Sequence, residues 1–318
     1  GLLHSLPTPI EIDAARDVVD AIPGADMVRF FKTGADATSA AVRLARHLTG
    51  RERIVTVGYN GWHDHFMFDT KGVPAHFRDY TLRMPLMREE DEPALLALLD
   101  ARGSELALVL LSLPYNRCVS REFLLRLRER CRAQGVLLVF DEVVTGFRLA
   151  LGGAQEFYGV EADIVCLSKG IAAGMPLSAL AGPRASMAPL ADLQVSTTFG
   201  GELLSLAACR AAISVYRSTD YFARLSELGA LLAEGVNRFA RDRGHALRIL
   251  GYAPIPLFRF SEDMAQQARA AEVFLAAMAR RGVLLRRDVN FISGVHTKEQ
   301  VEFTIEACRS ALTEIGAS

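Results

Sequence analysis

Lysine is nearly missing from this 318-residue chain. Lys32, Lys71, Lys169 and Lys298 are the only four among 36 basic side chains, which leaves 32 arginines. Arginine does not give up its proton, so a retained lysine marks a place where a titratable amine can matter. An excess of either charge is also lacking: 36 basic residues face 37 acidic ones. That balance gives no general electrostatic reason to hold nucleic acid or an anionic membrane. The five cysteines, Cys118, Cys131, Cys166, Cys209 and Cys308, include no CxxC pair. Such an odd, scattered set argues against a disulfide frame or a zinc site and reads as reduced thiols in a cytoplasmic protein. No apolar run approaches the roughly 18–20 residues of a membrane span, and no secretory leader is evident. Disorder is excluded by what is abundant, because 50% of the residues are hydrophobic and can bury a large core.

The apolar pattern alternates short strands with amphipathic helices. Helices are expected over 8–22, 34–48, 91–102 and 120–134, and strands over 53–58, 106–112, 136–140, 163–167 and 177–181. Residues 59–88 form a long polar and aromatic stretch, and helices at 202–217 and 222–243 lead out of the sheet. This order predicts an α/β fold, a mostly parallel sheet wrapped by helices, over residues 1–245. From about Arg248 the texture changes to short strands (256–260, 283–285, 290–293) and two helices (263–281, 298–316). Residues 246–318 are therefore expected to form a smaller C-terminal α+β domain. The chain starts at Gly1 with helical text close behind, which suggests that a front segment precedes it.

In open parallel sheets the ligand lies beyond the carboxyl ends of the strands. That rule directs attention to Gly58–Tyr59, Ser112–Pro114, Asp141–Glu142 and Ser168–Lys169. A lysine that ends a strand is ordinarily a surface residue. Lys169 differs in standing among Cys166, Leu167 and a glycine- and alanine-rich turn, surroundings that favour a partly desolvated amine able to attack an aldehyde. Asp141 and Glu142 end a buried strand. Read alone they suit a helix cap or an ion pair as well as a catalytic role. Together with Lys169, 28 residues on, they suggest pyridoxal phosphate: Asp141 against the ring nitrogen, Lys169 on the aldehyde.

Three further stretches bear on the same ligand. Thr33-Gly34-Ala35-Asp36 opens an alanine-rich helix whose free N–H groups could hold a phosphate, whereas Lys32 beside it is expected to face solvent. Tyr59 in Gly58-Tyr-Asn-Gly-Trp-His-Asp-His65 could stack on a flat ring, and His63, Asp64 and His65 read better as a hydrogen-bonded loop than as a metal site. Thr197-Thr-Phe-Gly-Gly-Glu202 offers hydroxyls and paired glycines for close approach to a phosphate.

Taken in order, these pieces resemble the class III (ω-type) aminotransferases of fold type I, near the glutamate-1-semialdehyde 2,1-aminomutase branch. The resemblance is carried by Phe140-Asp-Glu-Val-Val-Thr-Gly-Phe-Arg148, Leu151-Gly-Gly-Ala-Gln-Glu-Phe-Tyr-Gly159 and Gly174-Met-Pro-Leu-Ser-Ala-Leu-Ala-Gly182. Arg43 to Arg51 and Gly294-Val-His296-Thr297 add to it. It implies a large domain with a sheet of seven-stranded type and a site binding pyridoxal 5'-phosphate. Lys169 would form the Schiff base, Asp141 would meet the pyridinium, and Gly34 and Ala35 would hold the phosphate. Val143 would pack on the ring face opposite Tyr59, and Thr198 would reach the phosphate of a neighbouring subunit. A homodimer with shared active sites follows, acting on a small-molecule amino donor and a carbonyl acceptor and using no metal. An intramolecular aminomutase, a racemase and a non-catalytic cofactor-binding module are the alternatives.

The chain also departs from the family. Ser-Gly-Thr-Glu-Ala at the phosphate turn is here Thr33-Gly-Ala-Asp-Ala37, and Tyr-His-Gly is Tyr59-Asn60-Gly61. Glu-Pro is Leu113-Pro114, and Gly-Asn-Pro is Gly201-Glu202-Leu203. These changes lie on the substrate side, and no arginine stands out as a clamp for a substrate carboxylate.

Overall fold

A computed structural model describes residue 3 and residues 6–316. The chain divides into two units: residues 1–113 with 119–219, and residues 114–118 with 220–318. The long helix that precedes residue 245 groups with the second of these.

In the first unit the elements follow in order α1 (Pro9–Val19), β1 (Met27–Phe31), α2 (Gly34–Thr49), β2 (Arg53–Val57), β3 (Thr81–Met84), α3 (Asp91–Arg102) and β4 (Leu106–Leu111). Then come α4 (Arg121–Gln134), β5 (Leu137–Glu142), α5 (Gly153–Tyr158), β6 (Ile164–Leu167), β7 (Ser178–Gly182), α6 (Arg184–Met187) and α7 (Leu203–Ser218). The seven strands form one sheet in the order β1-β7-β6-β5-β4-β2-β3. Only β7 runs against its neighbours, β1 and β6. The fold is α/β with a mostly parallel seven-stranded sheet, as expected. Strand β4, Leu-Ala-Leu-Val-Leu-Leu, is buried at every position, which is why it reads as an unbroken apolar run and not as an alternating one.

Helix α2 shows how local sequence sets a boundary that the site later uses. Thr33 and Asp36 form a capping box: the Thr33 hydroxyl accepts from the Asp36 N–H at 3.2 Å, and Asp36 Oδ2 accepts from the Thr33 N–H at 2.9 Å. Gly50 closes the helix in a left-handed conformation, with φ at 67°. Between the caps, Ala37, Ala41, Leu44 and Ala45 are fully buried in the core formed with Leu108, Leu110, Val139 and Cys166. One residue past the cap, Arg51 donates through Nη1 to the carbonyls of Gly103, Leu106, Gln134 and Gly135 at 2.9–3.1 Å. A single guanidinium thus serves backbone acceptors at the ends of α3 and α4 and the start of β4.

The second unit contains α8 (Tyr221–Asp242), β8 (Arg248–Leu250), β9 (Leu257–Arg259), α9 (Met264–Arg280) and α10 (Lys298–Gly316). Its own core joins Leu225, Val236, Phe258, Phe274, Met278 and Cys308. The strands expected at 283–285 and 290–293 are not formed. Asn290 and Ile292 donate through their N–H groups to Pro256 and Pro254 at 3.2 and 3.1 Å, an alternation that begins a ladder. Proline has no N–H to return, so the ladder stays open. Among the described residues no helix is long and apolar enough to cross a membrane.

Candidate active site

The carboxyl ends of β5 and β6 lie side by side, with Asp141 opposite Cys166 and Glu142 opposite Leu167. The two neighbouring acids take different roles. Glu142 is 1% exposed and turns to the start of α5, accepting from the N–H groups of Ala154 and Gln155 and from the Thr145 hydroxyl at 2.8 Å. Burial pushes its carboxyl up to about 7 despite those hydrogen bonds. The bare face of Gly153 lies against this carboxylate, where a Cβ would collide with Oε2. Glu142 is therefore the helix cap.

Asp141 is 5% exposed and does not join that cap. Its Oδ2 accepts from Asn60 Nδ2 at 2.9 Å and its Oδ1 from the Val143 N–H at 3.2 Å. Burial raises its carboxyl to about 6, while Asn60, the Val143 N–H and the charge of Lys169 pull the other way.

Lys169 begins a single 3-10 turn, Lys169–Ala172, directly after β6. It is exposed, so the partial desolvation expected for its amine is not a property of the single chain. Its backbone is in the left-handed region, with φ at 47°. Only Phe147 and Ala173 share this among the described non-glycine residues, and both are at the same end of the sheet. Such conformations cost of order 1–3 kcal/mol each and persist where surrounding structure imposes them. The imposing contacts are visible: Tyr216 donates to the Gly170 carbonyl at 2.8 Å, and a Cβ on Gly170 would meet the Gly146 oxygen at 2.9 Å. These contacts hold the turn that carries Lys169 at the end of the sheet.

Facing this pair is the start of α2. The capping box occupies the N–H groups of Thr33 and Asp36 and leaves those of Gly34 and Ala35 at the positive end of the helix. Val143 packs on the bare face of Gly34, where a Cβ would meet Val143 Cγ2 at 2.9 Å. Ala35 packs likewise on Gly61. The carbonyl of Thr33 accepts from the Ser178 hydroxyl at 2.6 Å, which fixes the turn to β7. Gly34, Ala35, Asp141 and Val143 are thus brought into one group, with Lys169 near enough to act on the charge of Asp141. Tyr59 stands at the rim, 64% exposed, next to Asn60.

Thr198 is not part of that group. It is exposed in the turn before α7, and this turn rests on β1 through Gly200, where a Cβ would lie 2.7 Å from the Phe30 oxygen. Nearby, the expectation for Lys32 is corrected. Its Nζ is not turned to solvent but pairs with Glu202 Oε2 at 3.1 Å and reaches the Ser205 hydroxyl at 3.0 Å. Burial alone would raise the Glu202 carboxyl. Ser205, the Leu204 N–H and Lys32 outweigh it and hold the carboxyl down at about 2. Glu202 also caps α7, a role that any acid before a helix can take and that no spacing linked to Lys32.

His63 Nδ1 and His65 Nε2 both lie within hydrogen-bond distance of the Ser39 hydroxyl, at 2.6 and 3.2 Å, so the loop is tied to α2. Burial, with Arg46 and His63 adding to it, lowers His65 to about 4. Among the described residues no three His, Cys, Asp or Glu side chains are placed to share a metal ion.

With this geometry in view, comparison with known proteins gives a consistent result. The sequence profile of the class-III aminotransferases matches residues 116–315. The chain is 32% identical to the glutamate-1-semialdehyde 2,1-aminomutase of Methanobrevibacter smithii, across 98% of this chain and 80% of that protein.

The chain belongs to the class-III aminotransferases.

This is a pyridoxal-phosphate-dependent family of fold type I. The pyridoxal phosphate form of the FumI protein of Sphingopyxis sp. MTA144 superimposes with a TM-score of 0.91 at 28% identity, covering 99% of this chain and 77% of that one. An ω-transaminase from Sphaerobacter thermophilus gives 0.88 at 26%, over 98% and 80%. Within this class-III chain, sequence reasoning singled out Asp141, Lys169 and the Thr33–Asp36 turn, and the structure places Asp141 and that turn close together through Val143. That reasoning passed over Asn60 except as a departure, because nothing in a Tyr-Asn-Gly run reveals a contact to a residue 81 positions away.

Proposed function

We propose that this chain is a pyridoxal-phosphate-dependent aminotransferase that moves an amino group from a small-molecule donor to a carbonyl acceptor. The observation that carries the reading is the buried Asp141 carboxylate at the end of β5, beside the neighbouring β6 whose carboxyl end leads into the turn that carries Lys169. The residues fit the cofactor. Gly34 and Ala35 present N–H groups and a helix end suited to its phosphate, and Asp141 supplies a buried acceptor for the ring N–H. Val143 would pack on one face of the ring and Tyr59 on the other.

When bound, pyridoxal phosphate supplies an aldehyde that joins to amines and a ring that accepts the electron pair left by a departing proton. Asp141 keeps that ring protonated by remaining ionised beside it. Lys169 Nζ would be the amine that holds the cofactor through its aldehyde, and it would be freed for proton transfer when a donor amine takes its place. The released amine then takes the proton from the substrate's amino-bearing carbon and delivers it onward, acting as general base and then general acid. Thr198 would serve the phosphate of a second copy of the chain, which makes a homodimer with shared sites part of the proposal.

One observation favours a second reading, the intramolecular aminomutase: curated relatives at 31–34% identity carry that name. A single amino-aldehyde given without any second acceptor separates the two. We expect no net isomer from it, and nitrogen transfer once a separate carbonyl acceptor is added. Isomer formed at a steady rate without acceptor would establish the mutase instead.

A further inference from the structure

We propose that Asn60 positions the Asp141 carboxylate for the ring nitrogen of the cofactor, acting through its side-chain amide. The inference rests on the reading of Asp141 given above and adds a residue to it. Asn60 follows Tyr59 at the end of β2 and is 4% exposed. Its Nδ2 reaches Asp141 Oδ2 at 2.9 Å, while the Val143 N–H holds Oδ1 at 3.2 Å. Each carboxylate oxygen therefore accepts from the protein, and the two donors hold the group from opposite ends. The backbone of Asn60 is anchored separately, by the Thr38 hydroxyl donating to its carbonyl at 2.7 Å.

Asn60 Oδ1 is buried without a hydrogen-bond partner. Leaving a buried acceptor unpaired is unfavourable, so for folding alone an apolar side chain of similar size would serve better. What the amide gains is its bond to Asp141. Turned over, it would set Oδ1 against an ionised oxygen, so the observed orientation favours the ionised carboxylate, the form able to accept an N–H.

Several groups face Asp141: Lys169 across the strand ends, Glu142 beside it, Cys166 opposite on β6, and the amides of Asn60 and Val143. Lys169 changes charge as it binds and releases the cofactor. Asn60 does not, so it supports the ionised carboxylate when the lysine cannot.

The test is cofactor uptake, followed by absorbance between about pH 5 and 9, for the native chain and for N60A, the near-isosteric N60L, N60H and T38V. Losing one net hydrogen bond is expected to weaken uptake roughly 3- to 10-fold near neutral pH and to raise the acid-side midpoint by about 0.5–1 pH unit. The effect should fade at high pH. N60H, which restores a ring N–H donor, should recover most of the midpoint, and T38V should leave it in place. Unchanged affinity and midpoint in both N60A and N60L would overturn the proposal. So would a T38V shift as large as that of N60A, since loop placement would then explain the effect. No uptake by the native chain at any pH would overturn the reading of Asp141 itself, and this inference with it.

Discussion

Replacing Lys169 by alanine is expected to remove turnover, by roughly 10^4-fold, the upper end of what one positioned acid–base group contributes. The loss should come from chemistry and not from folding. Lys169 is exposed and its backbone is already left-handed, a conformation no worse for alanine than for lysine. The variant should therefore melt close to the native protein. It should still take up pyridoxal phosphate, because Asp141 and the start of α2 are untouched, but without the visible band that reports attachment to a lysine. K169R should be as inactive as K169A. A guanidinium keeps its proton and cannot attack an aldehyde, however well it sits. Steady-state kinetics and absorbance of the three proteins check this. Turnover by K169A at the native rate would remove Lys169 from the mechanism.

The second large effect is expected at Asp141. Asp141→Asn keeps the shape of the side chain and removes the charge that holds the ring proton, so turnover should fall by about 10^2- to 10^3-fold, as when one electrostatic stabiliser is lost. The pH dependence gives the sign. Asp141 must be ionised to accept the ring N–H, and burial raises it to about 6, so native activity should climb as pH rises through that value. D141N should lack that limb. Stability without cofactor should move the opposite way. The folded carboxyl titrates above its ordinary 3.8, so the folded state keeps its proton longer than the unfolded chain does. This term then lowers native stability as pH rises from about 3.8 to about 6. Cofactor-free D141N escapes that decline and should melt higher than the native protein at neutral pH. Thermal melts at pH 4 and 7 read it directly, and equal melting at both pH values would show that the buried charge carries no such penalty. A variant more stable and less active is what a strained functional site predicts.

The parts of the fold that were legible in the sequence are those with a local cause. The start of α2 at Gly34 follows from the Thr33/Asp36 box, and β4 from six apolar residues in a row. Strands β1 and β3 were not foreseen. Each is a sheet edge of five or four residues that carries an outward arginine, Arg29 or Arg83, and gains its identity from a neighbour: β7 for one, β2 for the other. The open ladder at Asn290 and Ile292 failed for the converse reason, since the strand-like text was real and its partners were prolines.

The site divides in the same way. Lys169 and Asp141 were singled out as candidates by residue type near strand ends. The separation of Asp141 from Glu142 did not, because both are acids at the end of one strand. Only the position of α5 makes one a cap, while the other turns to Asn60 and the Val143 N–H. Lys32 was misjudged because its partner Glu202 lies 170 residues away. Asn60 was invisible as a contact for the same reason.

The central claim is that one of four lysines holds the cofactor. Loading the protein with pyridoxal phosphate, reducing it with borohydride and mapping the pyridoxyl group by peptide mass tests that claim most directly. The label is expected on Lys169 alone, in near-stoichiometric yield. A label on Lys32, Lys71 or Lys298, or a loaded protein that takes no label, would contradict it.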